Sequence, residues 1–191
     1  MDRSFQVDAV IGAGIGALIV GMFGAGWLGW GLGEARAFNG LVGPTFGFVE
    51  LFLLACSIYV IRKGRLLRKQ YPPVSASTRQ GILKSFLLVV LIEVLALFLA
   101  SILAYRLHRR DLATDWYAIV VGLHFLPLAK SFRAPHLGII GVLITLWCLL
   151  CWALFRPNAL VISVSIGTGI LLWAASVSAL FRARKIVLSL Q

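Results

Sequence analysis

Residues 85–105 read SFLLVVLIEVLALFLASILAY, a continuous apolar run with a single acidic or basic side chain, Glu93. At 1.5 Å per helical residue the run is about 31 Å long, which matches the hydrocarbon thickness of a bilayer. Its apolar residues are consecutive and do not alternate, so a transmembrane β-strand is excluded and an α-helix remains as the way to satisfy the backbone in lipid. Working outward, similar runs cover residues 9–32 and 41–61 before it, and 116–129, 137–155 and 159–181 after it. The run at 116–129 is short for a crossing. Connections between the runs are brief, which leaves no room for a separate soluble domain. The expected fold is all-α: a polytopic bundle of six transmembrane helices forming a single integral membrane domain over residues 1–191.

Composition supports this class. Of 191 residues, 60% are hydrophobic and 13% charged, with a mean hydropathy of +0.95; an ordinary soluble domain carries roughly 25% charged residues. Such a chain cannot present a water-compatible surface, which excludes a soluble enzyme, a soluble nucleic-acid binder and a disordered protein. The net charge of +11 is therefore read as basic residues collected on the cytoplasmic side, not as a nucleic-acid footprint. With six crossings, thirteen Lys and Arg fall on the side of the N-terminus and five on the other. Seven of the thirteen lie in the second connection, RKGRLLRKQYPPVSASTRQGILK at residues 62–84, which contains no acid. If residues 116–129 did not cross, the same count would be nine against nine. The asymmetry argues for six crossings with both termini cytoplasmic. Trp27, Trp30, Trp116 and Trp152 then map to the outer interface, where indole rings prefer to sit. A bacterial inner membrane is the expected location. The first run is read as a retained helix, since it is too long for a signal peptide and lacks a basic leader.

Residues 10–33 read VIGAGIGALIVGMFGAGWLGWGLG, and the first fifty residues hold 12 of the 19 glycines. Every fourth position gives Ala13, Ala17, Gly21, Ala25, Gly29 and Gly33, a small-residue ridge along which another backbone can approach closely. Gly21, Gly29 and Gly33 are the expected helix-packing positions, with Gly12 and Gly16 beside them. Tight packing inside the bundle is the simplest use of such a ridge; a pore lining or an oligomer face is the other. A dinucleotide fingerprint is discarded because it needs a soluble strand–turn–helix context.

Three ionisable residues lie far from either surface: Glu50, Glu93 and His124. Each falls roughly 12 to 14 Å deep along its run, so three residues at one level on three neighbouring helices can meet. An acidic residue at a helix centre costs on the order of 2.5 to 3.5 kcal/mol, and partners or function must offset it. The group can hold a proton, a cation or the cationic head of a substrate; a neutral hydrogen-bonded cluster that only pins helices together is the structural alternative. Pro127, one turn beyond His124, frees a carbonyl near Leu123 and shapes an expected break in the fourth helix.

The remaining motifs carry less chemistry. Cys56, Cys148 and Cys151 lie in apolar runs and imply neither a disulfide nor a metal site. Ser165, Thr168, Gly169, Leu172 and Ser176 share one face of the sixth helix, suited to the interior. In RLHRRDLATDW, residues 106–116, His108, Asp111 and Asp115 are the only outer cluster that could serve an enzyme, and with Arg109 and Arg110 they read more simply as a solvated connection. The basic connection at 62–84 is suited to anionic lipid headgroups.

Two resemblances follow from these motifs. The Gly-rich first helix followed by Glu50 resembles the proton-translocating ring subunit of rotary ATPases over the first sixty residues. Six spans and a long basic connection depart from that two-helix pattern, so no role is carried over. GLHFLPLAKSF, residues 122–132, is similar to a segment of small multi-pass bacterial inner-membrane proteins to which no activity is assigned, and it implies only that setting. The functional expectation is proton-linked transport or permeation centred on Glu50, Glu93, His124 and Pro127, with no cofactor. The second expectation is a non-catalytic assembly or regulatory subunit that docks a membrane partner, or a second copy, through the first helix. An enzyme ranks third.

Overall fold

The computed structural model describes residues 3–71, 75–109, 112–132 and 134–190. They form six helices: α1 Arg3–Glu34, α2 Val42–Leu67, α3 Ala76–Arg106, α4 Ala113–Ser131, α5 Pro135–Leu154 and α6 Pro157–Leu190. No strand occurs among the described residues. Five of the six, all but α4, are long and apolar enough to cross a membrane. In α4 the polar Asp115, His124 and Lys130 and the ring of Pro127 dilute the apolar character of its 19 residues.

The helices outrun the apolar runs that nucleate them. The basic connection at 62–84 is mostly helical: α2 continues through Arg65 to Leu67 and α3 begins at Ala76. Arg, Lys, Leu and Gln are good helix formers, so the end of the apolar run is not a helix stop. α6 likewise runs on through Arg182, Arg184 and Lys185. Pro135 occupies the first turn of α5, where its missing N–H is not needed. α4 runs unbroken through Pro127, which lacks the N–H that Leu123 would otherwise receive. The expected break is therefore absent.

The chain groups into two compact units. The first comprises Met1–Ala25, Phe38–Arg79 and Leu172–Gln191, that is, the greater part of α1, all of α2, the first turn of α3 and the end of α6. Its core is Val10, Val60 and Ala183, packed by Ala13, Leu180, Ile186 and Val187. Glycine permits the close approach of α1 and α2. A Cβ at Gly14 would lie 3.2 Å from the backbone nitrogen of Ile61, and one at Gly64 would lie 3.3 Å from that of Ile11. The Ser176 hydroxyl donates to the Ala17 carbonyl at 2.8 Å, and the Trp173 indole N–H donates to the Gly21 carbonyl at 3.2 Å. Arg68 pairs with Asp8 at 3.6 Å.

The second unit comprises Gly26–Ala37 and Gln80–Leu171. α4 and α5 cross at Gly122 and Gly141, each glycine standing against the carbonyl of the other. Trp147 packs closely against Gly167 of α6 and donates its indole N–H to the Ser163 carbonyl at 3.0 Å. α3 is joined to α4 by three contacts: the Phe86 and Phe132 rings at 6.1 Å, Glu93 with His124, and the Ser101 and Tyr117 hydroxyls at 2.8 Å. Rising numbers on α3 meet falling numbers on α4, so the two helices run antiparallel. α3 otherwise exposes Leu87, Leu91, Leu95, Phe98 and Leu99, a greasy surface suited to lipid.

The buried residues of α1 are Val7, Val10, Gly14, Ala17, Gly21, Gly24, Trp27, Leu28 and Gly31, a stripe stepping mostly by three and four. Of the packing positions expected from every-fourth spacing, Gly21 is buried against Ser176, Gly29 is half-buried, and Gly33 is exposed with nothing near a built Cβ. On α6, Ser165, Thr168, Gly169, Leu172 and Ser176 are all buried, as an interior face should be.

Candidate functional site

Of the three deep ionisable residues, the structure brings two together. Glu93 projects from the middle of α3 and His124 from the middle of α4, and His124 Nδ1 lies 3.3 Å from Glu93 Oε1. Both side chains are largely enclosed, with 16% and 18% of their surface accessible for His124 and Glu93. The same Nδ1 lies 2.8 Å from the Val121 carbonyl on its own helix. Two acceptors facing Nδ1 fit a proton on that nitrogen, directed at the Val121 carbonyl and the Glu93 carboxyl. Phe125, the next residue, tilts its ring against the imidazole at 4.5 Å.

Local structure explains the placement. Gly122 and Phe125 flank His124 on the buried side of α4, and the absent side chain at Gly122 draws α4 onto α5. His124 is thereby turned toward α3. The Ser101–Tyr117 bond, two turns along, fixes the register of the seam. Pro127 and Leu123 are exposed, so the carbonyl that Pro127 frees does not belong to the Glu93–His124 contact.

Glu50 belongs to the other unit, on the α2 stripe Phe46, Glu50, Leu53, Ser57, Val60 and Gly64. Its carboxyl stands beside the Trp173 indole. Oε2 of Glu50 is buried without a hydrogen-bond partner, as is the Ser57 hydroxyl. Phe46 stacks on Trp173 with ring centres 5.6 Å apart and an interplanar angle of 24°, and Phe38 meets Phe46 edge-on at 5.7 Å.

A third polar locus was missed by sequence reasoning. Asp115 does not lie in a solvated connection: it occupies the first turn of α4 and is only 3% exposed. The Cys148 and Cys151 thiols of α5 lie within electrostatic reach of it, and Thr168 of α6 lies beside Cys148. Burial pushes the Asp115 carboxyl up to about 6. The signal was present: Asp115, Ala118, Gly122 and Phe125 form a stripe stepping by three and four, and all four are buried. His108, expected beside it, is exposed at a positive φ of 53° in the turn that ends α3, while Asp111 and Arg110 lie outside the described residues, as does Arg133. The CxxC thus has an acid within electrostatic reach that the linear sequence does not show. Among the described residues, no group of three or more His, Cys, Asp or Glu could hold a metal ion.

No family model matches the chain, and neither the curated proteins nor the solved structures contain a match.

Proposed function

We propose that the protein is a proton-linked transporter or permeation pathway in which Glu93 and His124 take up and release the proton. The observation that carries this reading is their 3.3 Å contact between two helices. A carboxyl and an imidazole in mutual reach, away from bulk water, share and exchange a proton, and ionisable groups at that depth mark ion or proton pathways by default. In this reading α4 is the sixth crossing, both termini face the cytoplasm, and the membrane is a bacterial inner membrane. The basic ends of α2 and α6 suit the same side: Arg62, Lys63 and Arg65, together with Arg182, Arg184 and Lys185, flank the Val10, Val60 and Ala183 core and suit anionic lipid headgroups.

The test is pH-driven flux in proteoliposomes for wild type, Glu93→Gln and Glu50→Gln. Transport requires wild-type flux and its loss in Glu93→Gln; absent wild-type flux, or an indifferent variant, removes the reading.

One observation favours a second reading, an assembly subunit. Gly12, Gly16, Gly26 and Gly33 lie on the side of α1 away from its buried stripe and have nothing within 4 Å of a built Cβ. A partner helix could approach there. Replacing Gly16 with Leu would abolish such docking, detected as loss of a co-purifying partner or of self-association, and would leave flux unchanged.

A further inference from the structure

From the surroundings of Glu50 we infer a binding site for a lipophilic monovalent organic cation, built by Glu50, Trp173 and Phe46. Glu50 has one carboxyl oxygen buried without a hydrogen-bond partner, and among the described residues no Lys, Arg or His forms an ion pair with it. The indole N–H of Trp173 lies within hydrogen-bonding reach of the Glu50 carboxyl and also donates to the Gly21 carbonyl, 3.2 Å away, so it offers the carboxylate a neutral donor and no charge. A carboxylate in this setting lacks a counter-charge, which a bound cation or a proton supplies.

The neighbours select between kinds of cation. An inorganic ion needs several oxygen ligands, whereas Glu50 is bordered by rings: Trp173 stacks on Phe46, and Phe38 braces Phe46 from its edge. Aromatic faces attract organic cations through their quadrupole and take up apolar substituents as well. Glu50, Trp173 and Phe46 are each only half-buried, so the group is reachable from its surroundings. A charge seated on the carboxylate with its apolar groups against the rings uses every feature of the site. The inference names the cargo class of the transport proposed above and rests on that reading for its use, but binding is measurable without flux.

The experiment is equilibrium dialysis of radiolabelled tetraphenylphosphonium against the purified full-length protein in detergent, with tetraphenylborate as the anionic control. The expected result is saturable binding of the cation at one site per chain, none of the anion, and weakening as the pH falls because the proton competes for Glu50. Glu50→Gln and Trp173→Ala should each weaken binding by roughly tenfold or more, Phe46→Leu less, and Glu93→Gln not at all. Competition by pH in the wild type keeps the test valid if a variant fails to fold. The inference is overturned by absent or non-saturable binding, by equal uptake of the anion, or by an affinity indifferent to both pH and Glu50→Gln. Binding that survives while flux is absent would refute transport and leave the site standing.

Discussion

Gly122→Ala perturbs the α4–α5 crossing two residues from His124, and its cost can be worked from the geometry. An added Cβ would lie 2.6 Å from Thr145 Oγ1, 2.9 Å from the Gly141 carbonyl oxygen and 3.2 Å from Ile144 Cγ2. The Thr145 hydroxyl can rotate away only by giving up its 2.9 Å bond to the Gly141 carbonyl, a loss of about 1 kcal/mol. The carbonyl is backbone, so α5 itself must retreat by about 0.5 Å, which forfeits roughly a quarter of the dispersion energy of the contacts it opens. Overpacking of this kind costs about 1–3 kcal/mol. Replacing a glycine inside a helix returns about 1 kcal/mol. The net expectation is a loss of about 1–3 kcal/mol in reversible unfolding by sodium dodecyl sulfate from dodecylmaltoside micelles. Gly12→Ala, where a Cβ meets nothing within 4 Å, should be neutral or stabilising by up to about 1 kcal/mol. A Gly122→Ala protein as stable as Gly12→Ala would refute the close crossing, and with it the reason that His124 is held toward α3.

Other expectations follow from single contacts. Because burial raises Asp115 to about 6, the folded state holds that proton more tightly than the unfolded chain. Stability should therefore fall as the pH rises from about 4 through 6, by up to about 3 kcal/mol. Asp115→Asn should be the more stable protein at pH 8, with the advantage gone by about pH 4; parallel pH profiles for the two proteins would refute the buried acid. On α1, Gly31→Ala would press on the Ile166 backbone nitrogen at 3.0 Å and Gly33→Ala on nothing, so detergent unfolding should register a loss only for the former. The triple variant Arg182→Gln, Arg184→Gln and Lys185→Gln should lose about 1 kcal/mol per residue of preference for anionic over zwitterionic bilayers before screening. Equal lipid preference in the variant would count against headgroup binding at the end of α6.

Much of the helical architecture was legible in residues 85–105 and their counterparts, because unbroken apolar runs of that length have one way to satisfy their backbone. The interior face of α6 was legible as well: Ser165, Thr168 and Ser176 stand out in an otherwise apolar helix. α1 was not, and the reason is its glycine content. Small residues occur on every side of it, so a ridge at every fourth position looked as good as the stripe that is buried, and only packing against the other helices chooses between them. Asp115 was obscured by its neighbours in sequence, where Arg109, Arg110 and Asp111 suggest water; the start of α4 at Ala113 turns it inward. Matching depth alone pointed to Glu50, Glu93 and His124 as a trio. Depth carries no information on which face of a helix a side chain occupies, and Glu50 has its own aromatic surroundings in the first unit.

Nitrogen-15 magnetic resonance of the His124 ring in lipid nanodiscs tests the Glu93–His124 pair directly. The 3.3 Å contact predicts a proton on Nδ1 and a ring signal that moves when Glu93 is replaced with Gln. A His124 spectrum identical in wild type and Glu93→Gln would contradict that contact.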